Sequence, residues 1–270
     1  MAAEKKRTVV GSAPIPQVPL EATIPDNFHL VEGLPTRYKL YPEGTQIFGR
    51  PLTVKEVKLL ASIGEDNFDF IVNQILYSAI KGIDIQDLLV VDKIYLIFWL
   101  RANTYKNDGY SSTYTCPKCK RENSYLFGVA DLIVKELSDS FVPGEPLQLL
   151  TKDDTIVIQF TTVKDENLVA NFQKGKTEKF DEDMLAMASM IKSINGSDLS
   201  LRLKYEYVTN MNPEDYAYLY SYIQENEVGV APVAKMECQH DDCREEISIE
   251  IRFHEEFFLP KYNFRRNPRS

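Results

Sequence analysis

Histidine and cysteine are scarce in this sequence, with three and four copies among 270 residues, and tryptophan occurs once. The histidines, His29, His240 and His254, form no catalytic constellation. A phosphate loop, a dinucleotide fingerprint, a G-x-S-x-G elbow and an H-E-x-x-H helix are all missing, so the reactions those motifs serve have no anchor residues. Acidic clusters do occur, at Asp153-Asp154 and Asp181-Glu182-Asp183. A turn and a helix start account for them, because short acidic side chains satisfy free amides there. The sequence reads as that of a non-enzyme.

Long apolar runs are lacking as well. The greasiest stretch, Ile83 to Leu100, is broken by Asp84, Gln86, Asp87, Asp92 and Lys93, which excludes a membrane span. Positive charge is in deficit. Lysine and arginine total 31 against 40 aspartates and glutamates, and the formal net charge of −9 argues against general affinity for nucleic-acid phosphates. A secretory signal is not evident, since Lys5-Lys6-Arg7 leads only a short apolar run before Gly11. A soluble, intracellular protein is expected. Apolar residues make up 44% of the chain, enough for a real core in one large or two small domains.

What is present is organised around two cysteine turns that use all four cysteines. Cys116-Pro117-Lys118-Cys119 lies between strand-like runs at Ser112–Thr115 and Asn123–Phe127. Cys238-Gln239-His240-Asp241-Asp242-Cys243 lies between Val230–Glu237 and Glu246–Phe253. A turn that aims two thiolates at one point, repeated once, supplies the four ligands Cys116, Cys119, Cys238 and Cys243 of a tetrahedral, structural Zn²⁺ site. Such a site is closed, with no position for water or substrate. The first turn lacks the glycine that often follows the second cysteine; Lys120 stands there. Two disulfides, or four unrelated free thiols, are the alternatives, and disulfides need an oxidising compartment. His240 is placed to replace a cysteine, although a solvated loop histidine is the plainer reading.

The fold class expected is α+β: a helical N-terminal part, a split Cys₄ zinc ribbon with a mixed α/β insertion, and extended termini. Residues 1–50 read as a proline-rich arm whose scattered apolar anchors dock on the chain's own body or on a partner, with a partner favoured for part of it. Residues 51–106 are helical. A first helix starts at the capping box Thr53-Val54-Lys55-Glu56, a second spans about 67–81, and a nearly all-apolar third covers about 91–102. That third helix is either a central core helix or one covered on one side by another subunit. The ribbon halves are 107–129 and 228–254, and 130–227 is inserted between them. Inside the insertion, 131–137 reads as a short helix or turn, and 147–150 with 155–161 as a hairpin. Helices are expected after Thr162, from Asp181 through Ile194, and from Pro213 to about Asn226, whereas 201–208 reads as a strand or else a short helix. Methionines at helical spacing in the Asp181 helix are a pliable binding surface or, more often, core. The tail, 255–270, turns basic and aromatic. It is an ordered or frayed end whose charges are solvated, or a peptide for an acidic partner, with a nucleic-acid contact confined to it also open.

Several words between Leu34 and Cys119 resemble the baseplate hub proteins of T4-like contractile-tailed bacteriophages. They are Leu34-Pro35, Tyr38-Lys39-Leu40-Tyr41-Pro42, Arg50-Pro51-Leu52-Thr53, Asp84-Ile85-Gln86-Asp87-Leu88-Leu89, Asp92-Lys93-Ile94-Tyr95-Leu96-Ile97-Phe98-Trp99-Leu100-Arg101 and Tyr114-Thr115-Cys116-Pro117-Lys118-Cys119. The resemblance implies a structural virion-assembly protein in the tail baseplate, present in the host cytoplasm during assembly. Its partners are then other phage baseplate and tail proteins; the acidic charge speaks against nucleic acid, and no membrane or small-molecule substrate is expected. Two other readings stay open: a zinc-ribbon nucleic-acid or transcription adaptor, which would bind DNA in a salt-dependent way, and a tail-assembly chaperone absent from the finished virion.

Overall fold

The computed structural model describes residues 26–64, 67–105, 110–128, 131–174, 180–231, 233–251, 253 and 255–259. The first half of the proline-rich arm, Lys106, His254 and the basic residues of the tail lie outside them. Short strands β1 (His29–Leu30) and β2 (Phe48–Gly49) pair antiparallel with each other, and β2 pairs with β3 (Ile80–Lys81). Helix α1 (Val54–Leu60) starts at Thr53 with the expected capping box, in which Glu56 accepts from the Thr53 backbone N–H at 2.7 Å. Glu56 does more than cap. Arg50 grips its carboxylate with two nitrogens at 2.9 and 2.7 Å, and the Ser78 hydroxyl donates to it at 2.5 Å. The segment before α1 is thereby tied to the end of α2 (Phe68–Ala79).

After a 3₁₀ turn at Ile85–Asp87 comes α3 (Val90–Thr104), longer by a turn than its apolar run alone suggests. No residue from Val90 to Ala102 is exposed, and this one chain supplies the cover. Part of that cover is the second half of the arm, which docks on the chain's own body: Val31, Leu34, Tyr41 and Ile47 are all buried in the first hydrophobic core. Prolines stopped this segment from forming helix, but its apolar side chains still had a nearby surface to bury against. Gly49 packs so closely on Trp99 that an added Cβ would lie 2.4 Å from the ring. The start of the tail is covered in the same way. Phe257 and Phe258, in the short helix α8 (Glu255–Phe258), are 1% exposed and join an aromatic cluster with Phe98 and Phe253.

Helix α3 also carries three buried charged residues. Asp92 accepts from the Thr36 N–H and hydroxyl at 3.2 and 2.6 Å and from the Tyr41 hydroxyl at 2.8 Å. Burial pushes its pKa up, and the three donors oppose that. Lys93, 1% exposed, lies between Asp69 and Glu166 at 2.6 and 2.7 Å. Arg101 donates from Nε to the Phe257 carbonyl at 2.6 Å and sits over the Phe257 ring.

Two hairpins follow the helical part in the first core, β4 (Tyr110–Thr115) with β5 (Glu122–Phe127), and β11 (Val233–Glu237) with β12 (Glu246–Glu250). Each is its own two-stranded sheet. The stretch expected as one strand from Val230 is divided, because β10 (Gly229–Ala231) turns away to pair with β6 (Ile133–Lys135). That ladder also overturns the helix or turn expected at 131–137. The β-branched residues Ile133 and Val134 are used in a strand that ties the entry of the insertion to its exit.

The insertion contributes a second core. Its three-stranded antiparallel sheet runs β7 (Pro146–Gln148), β8 (Thr155–Ile158) and β9 (Ile191–Ile194). Helix α4 (Val163–Gln173) is capped by Thr162, and α5 (Glu182–Met190) by Asp181. Helix α5 was expected to run to Ile194, but the chain leaves it at Met190 and Ile191 to Ile194 pair with β8 instead. Burying Ile191 and Ile194 beside Ile156 in the sheet outweighs another helical turn. Residues 201–208, read first as a strand, form α6 (Leu201–Thr209). Leu201, Leu203, Tyr205 and Tyr207 alternate as in a strand, yet the buried residues are Leu201, Lys204 and Val208, a helical spacing started by the Ser200 cap. Helix α7 (Pro213–Glu225) follows its Asn212 cap as expected. Met187 is buried and Met184 and Met190 pack against this core, so the methionines are core residues.

The Arg50 hydrogen bonds hold the Glu56 carboxyl at a pKa of about 2, well below its usual value. A depressed carboxylate stabilises the fold above its unfolded pKa of about 4.3 and loses that contribution as pH falls towards the folded value. Glu56→Gln should cost about 2 kcal/mol at neutral pH. Urea unfolding at descending pH should show the wild type losing stability below roughly pH 4.5, with a shallower loss in the variant.

Candidate metal centre

Strand pairing brings each cysteine turn to the tip of its hairpin. The last pair of the first hairpin is Thr115 with Glu122, and that of the second is Glu237 with Glu246. A cysteine follows immediately in both. The Cys116 N–H donates to the Arg121 carbonyl at 2.9 Å, and the Cys238 N–H to the Glu245 carbonyl at 2.8 Å. Lys120 and Arg244, each directly after a second cysteine, adopt φ of 61° and 43°. Lys120 therefore takes the left-handed conformation for which glycine is usual, at a cost of about 1 kcal/mol.

The four cysteines are free thiols whose sulfurs all lie within 4.8 Å of one another. The close pairs join one hairpin to the other: Cys116 Sγ to Cys243 Sγ at 3.8 Å and Cys119 Sγ to Cys238 Sγ at 3.7 Å. Thiolates about 2.3 Å from a central tetrahedral ion are separated by about 3.8 Å, so this spacing fits a Zn²⁺-sized ion held by Cys116, Cys119, Cys238 and Cys243. Cys116 and Cys238 are buried, and the other two are half-buried. The backbone N–H and guanidinium of Arg121 draw the Cys119 thiol down to about 6. Cys243 is pushed up to about 11 by burial and the neighbouring sulfurs, against a backbone N–H at Glu245. Four thiolates this close repel, and a divalent cation would remove that penalty.

Residues that sequence reasoning did not single out clasp the two tips together. Gln239 reaches across to Ser124, accepting from its N–H at 3.2 Å and donating to its carbonyl at 2.7 Å. Asn123, 1% exposed, accepts from the Gln239 N–H at 2.8 Å, and the Tyr125 hydroxyl donates to the Glu237 carbonyl at 2.7 Å. His240 is outside the sulfur group, with Nε2 3.1 Å from the Glu122 carbonyl. Ion pairs cross the same gap, Lys118 with Glu245 at 2.7 Å and Arg121 with Asp242. Only the cysteine spacing was legible in advance, because a glutamine that mimics a strand edge carries no sequence signature.

The purified chain should contain one zinc per molecule, and Co²⁺ in its place should give the visible absorption of a tetrahedral thiolate site. Cys238→Ser should lose the metal and melt at a markedly lower temperature. Metal analysis and thermal melts with and without chelator check both. Lys120→Gly should keep the metal and cost nothing, or gain up to about 1 kcal/mol.

No curated protein and no solved structure matches this chain. A family model described as T4 bacteriophage base plate protein matches residues 35–259, from the segment tucked under α3 to the end of α8, with both cysteine hairpins and the insertion included. The chain belongs to the T4 bacteriophage base plate protein family.

Proposed function

We propose that the chain is a non-enzymatic assembly protein of the hub region of a contractile phage tail baseplate, joining neighbouring subunits through its terminal segments. The observation that carries this is family membership over residues 35–259. In this reading a zinc ion on Cys116, Cys119, Cys238 and Cys243 staples the body, and the sulfur spacing supports it. The helical part, the two cysteine hairpins and the 130–227 insertion then act as one scaffold that sets the directions in which the termini leave. Its partners are other tail proteins, and its place is the virion tail. The closed donor set leaves the ion without an open position, which suits a staple.

Because Val31, Leu34, Tyr41 and Ile47 are buried in the first core, the segment offered to partners is residues 1–25. A chain lacking 1–25 should melt close to the full-length protein and keep its metal, but fail to enter baseplates in a complementation assay. Normal incorporation would count against the reading. Removing 1–50 instead deletes those four buried side chains, at roughly 2–5 kcal/mol for each large one, and should yield no folded protein. Mass spectrometry of purified virions separates a structural component, which stays, from an assembly chaperone, which does not.

A further inference from the structure

The four cysteines pair by contact as well as by position in sequence. Within the group the sulfur contacts are Cys116 with Cys243 at 3.8 Å and Cys119 with Cys238 at 3.7 Å. Both cross from one hairpin tip to the other, and together they use every cysteine once. Each crossed pair also joins a half-buried sulfur, Cys243 or Cys119, to a buried one, Cys116 or Cys238. We infer that these are two specific disulfide partnerships: in an oxidising medium Cys116 bonds to Cys243 and Cys119 to Cys238, so that the tips are joined covalently.

The tips are placed for this by contacts that use no sulfur. Gln239 bonds to Ser124, Asn123 to Gln239 and Tyr125 to Glu237, and Lys118 pairs with Glu245. They keep the hairpins in register, though more loosely, when an ion leaves. Each turn is also closed by its own backbone, the Lys120 N–H on the Cys116 carbonyl at 3.0 Å and the Cys243 N–H on the His240 carbonyl at 2.8 Å. Neither knuckle is remade by a crossed bond, which needs each sulfur gap to close by only about 1.7 Å. The co-reactant is a peroxide. The more accessible thiol of a pair gives two electrons to hydrogen peroxide, the O–O bond breaks, one water leaves, and that sulfur becomes a sulfenic acid. The buried partner then attacks it, the S–O bond breaks, a second water leaves and the S–S bond forms. A metal joint suits a reducing cytoplasm, and a disulfide joint suits the medium that a released virion meets. The pairing concerns the sulfurs read as a zinc staple and goes beyond that reading, since it needs no ion.

The test treats the full chain with hydrogen peroxide, both as isolated and after a chelator, then alkylates and digests it without reduction. Cleavage after Lys118 and before Asp241 puts each cysteine on a peptide of its own. Expected are the loss of all four free thiols and two linked pairs, Cys116 with Cys243 and Cys119 with Cys238, and dithiothreitol should restore the thiols. Cys116→Ser with Cys243→Ser keeps one contact pair and should form its disulfide at close to the wild-type rate. Cys116→Ser with Cys238→Ser leaves Cys119 and Cys243, and should oxidise roughly tenfold more slowly or not at all. Any other pairing in the wild type, whether within a turn or from Cys116 to Cys238, overturns the inference, as do thiols that stay free or go on to sulfinic acid. The wild-type map decides even where a variant fails to fold. Zinc content is measured on the same samples. A chain that holds zinc but oxidises within its turns removes this inference and keeps the staple; one that never holds zinc yet forms the crossed pairs does the reverse.

Discussion

The body depends on two nested closures of the same long loop. Inside, β6 and β10 pair over three residues and bring the start and end of the insertion together. Outside, the sulfur pairs join positions 127 and 119 residues apart. Chain length is a small obstacle to such closure, since each doubling of a loop adds only about 0.6 kcal/mol. Direction is the harder part. Two hairpins that emerge from opposite ends of an insertion must point their tips at one spot within an ångström or so. The β6–β10 ladder gives the coarse placement, and Gln239, Asn123 and the crossed ion pairs give the fine one. Structural zinc in small peptides contributes about 10–16 kcal/mol, so an ion held there would make this closure the strongest single constraint in the fold.

The seam between the two cores is held differently, by charge under cover. Lys93 is on α3 in the first core, and Glu166 is on α4, which leads into the second. A lysine this buried is costly unless both of its carboxylate partners stay in place. Removing one partner should hurt more than replacing the whole group with apolar residues of similar size. Asp92 uses the same logic on the other side of the helix, pinning Thr36 and Tyr41. Its position in the first turn of α3 also sets its charge against the positive end of the helix. These contacts convert a proline-rich segment without regular structure into a fixed part of the core.

How much of this was legible in the sequence depended on whether the signal was local. Thr53, Thr162, Asp181 and Asn212 announced helix starts because a cap is a contact made within three residues. The cysteine spacing announced a meeting of four sulfurs because each knuckle is itself a local turn. Failures came where tertiary pairing decided. Ile191 to Ile194 continue the apolar period of α5, and only the neighbouring strand β8 makes them a strand. The tyrosines and leucines of α6 alternate as a strand would, and only burial of Leu201, Lys204 and Val208 shows the helix. Phe257 and Phe258 sit in a tail whose composition left an ordered end, a frayed end and a docking peptide open, and only the aromatic cluster around Phe98 decides for order at its start. For α3 the sequence left a central core helix or one covered partly by another subunit, and burial of Leu96, Ile97, Phe98 and Leu100 within this one chain makes it the core helix.

The charge around the sulfurs bears on what the cluster can do. Four thiolates with one divalent ion carry a net charge of about −2, inside a chain that is already acidic. Lys118 and Arg121 both lie where they feel the cysteines, and each is fixed by a carboxylate on the opposite tip, Glu245 and Asp242. Backbone N–H groups of Arg121 and Glu245 face Cys119 and Cys243. Among the described residues, His240 contacts the Glu122 carbonyl, Tyr125 donates to the Glu237 carbonyl, and Asn123 accepts from both the Gln239 N–H and the Cys238 thiol, the latter at 3.4 Å. The donors and cations around the sulfurs are held by bonds that join one hairpin to the other, so a change at the sulfurs would loosen the two tips.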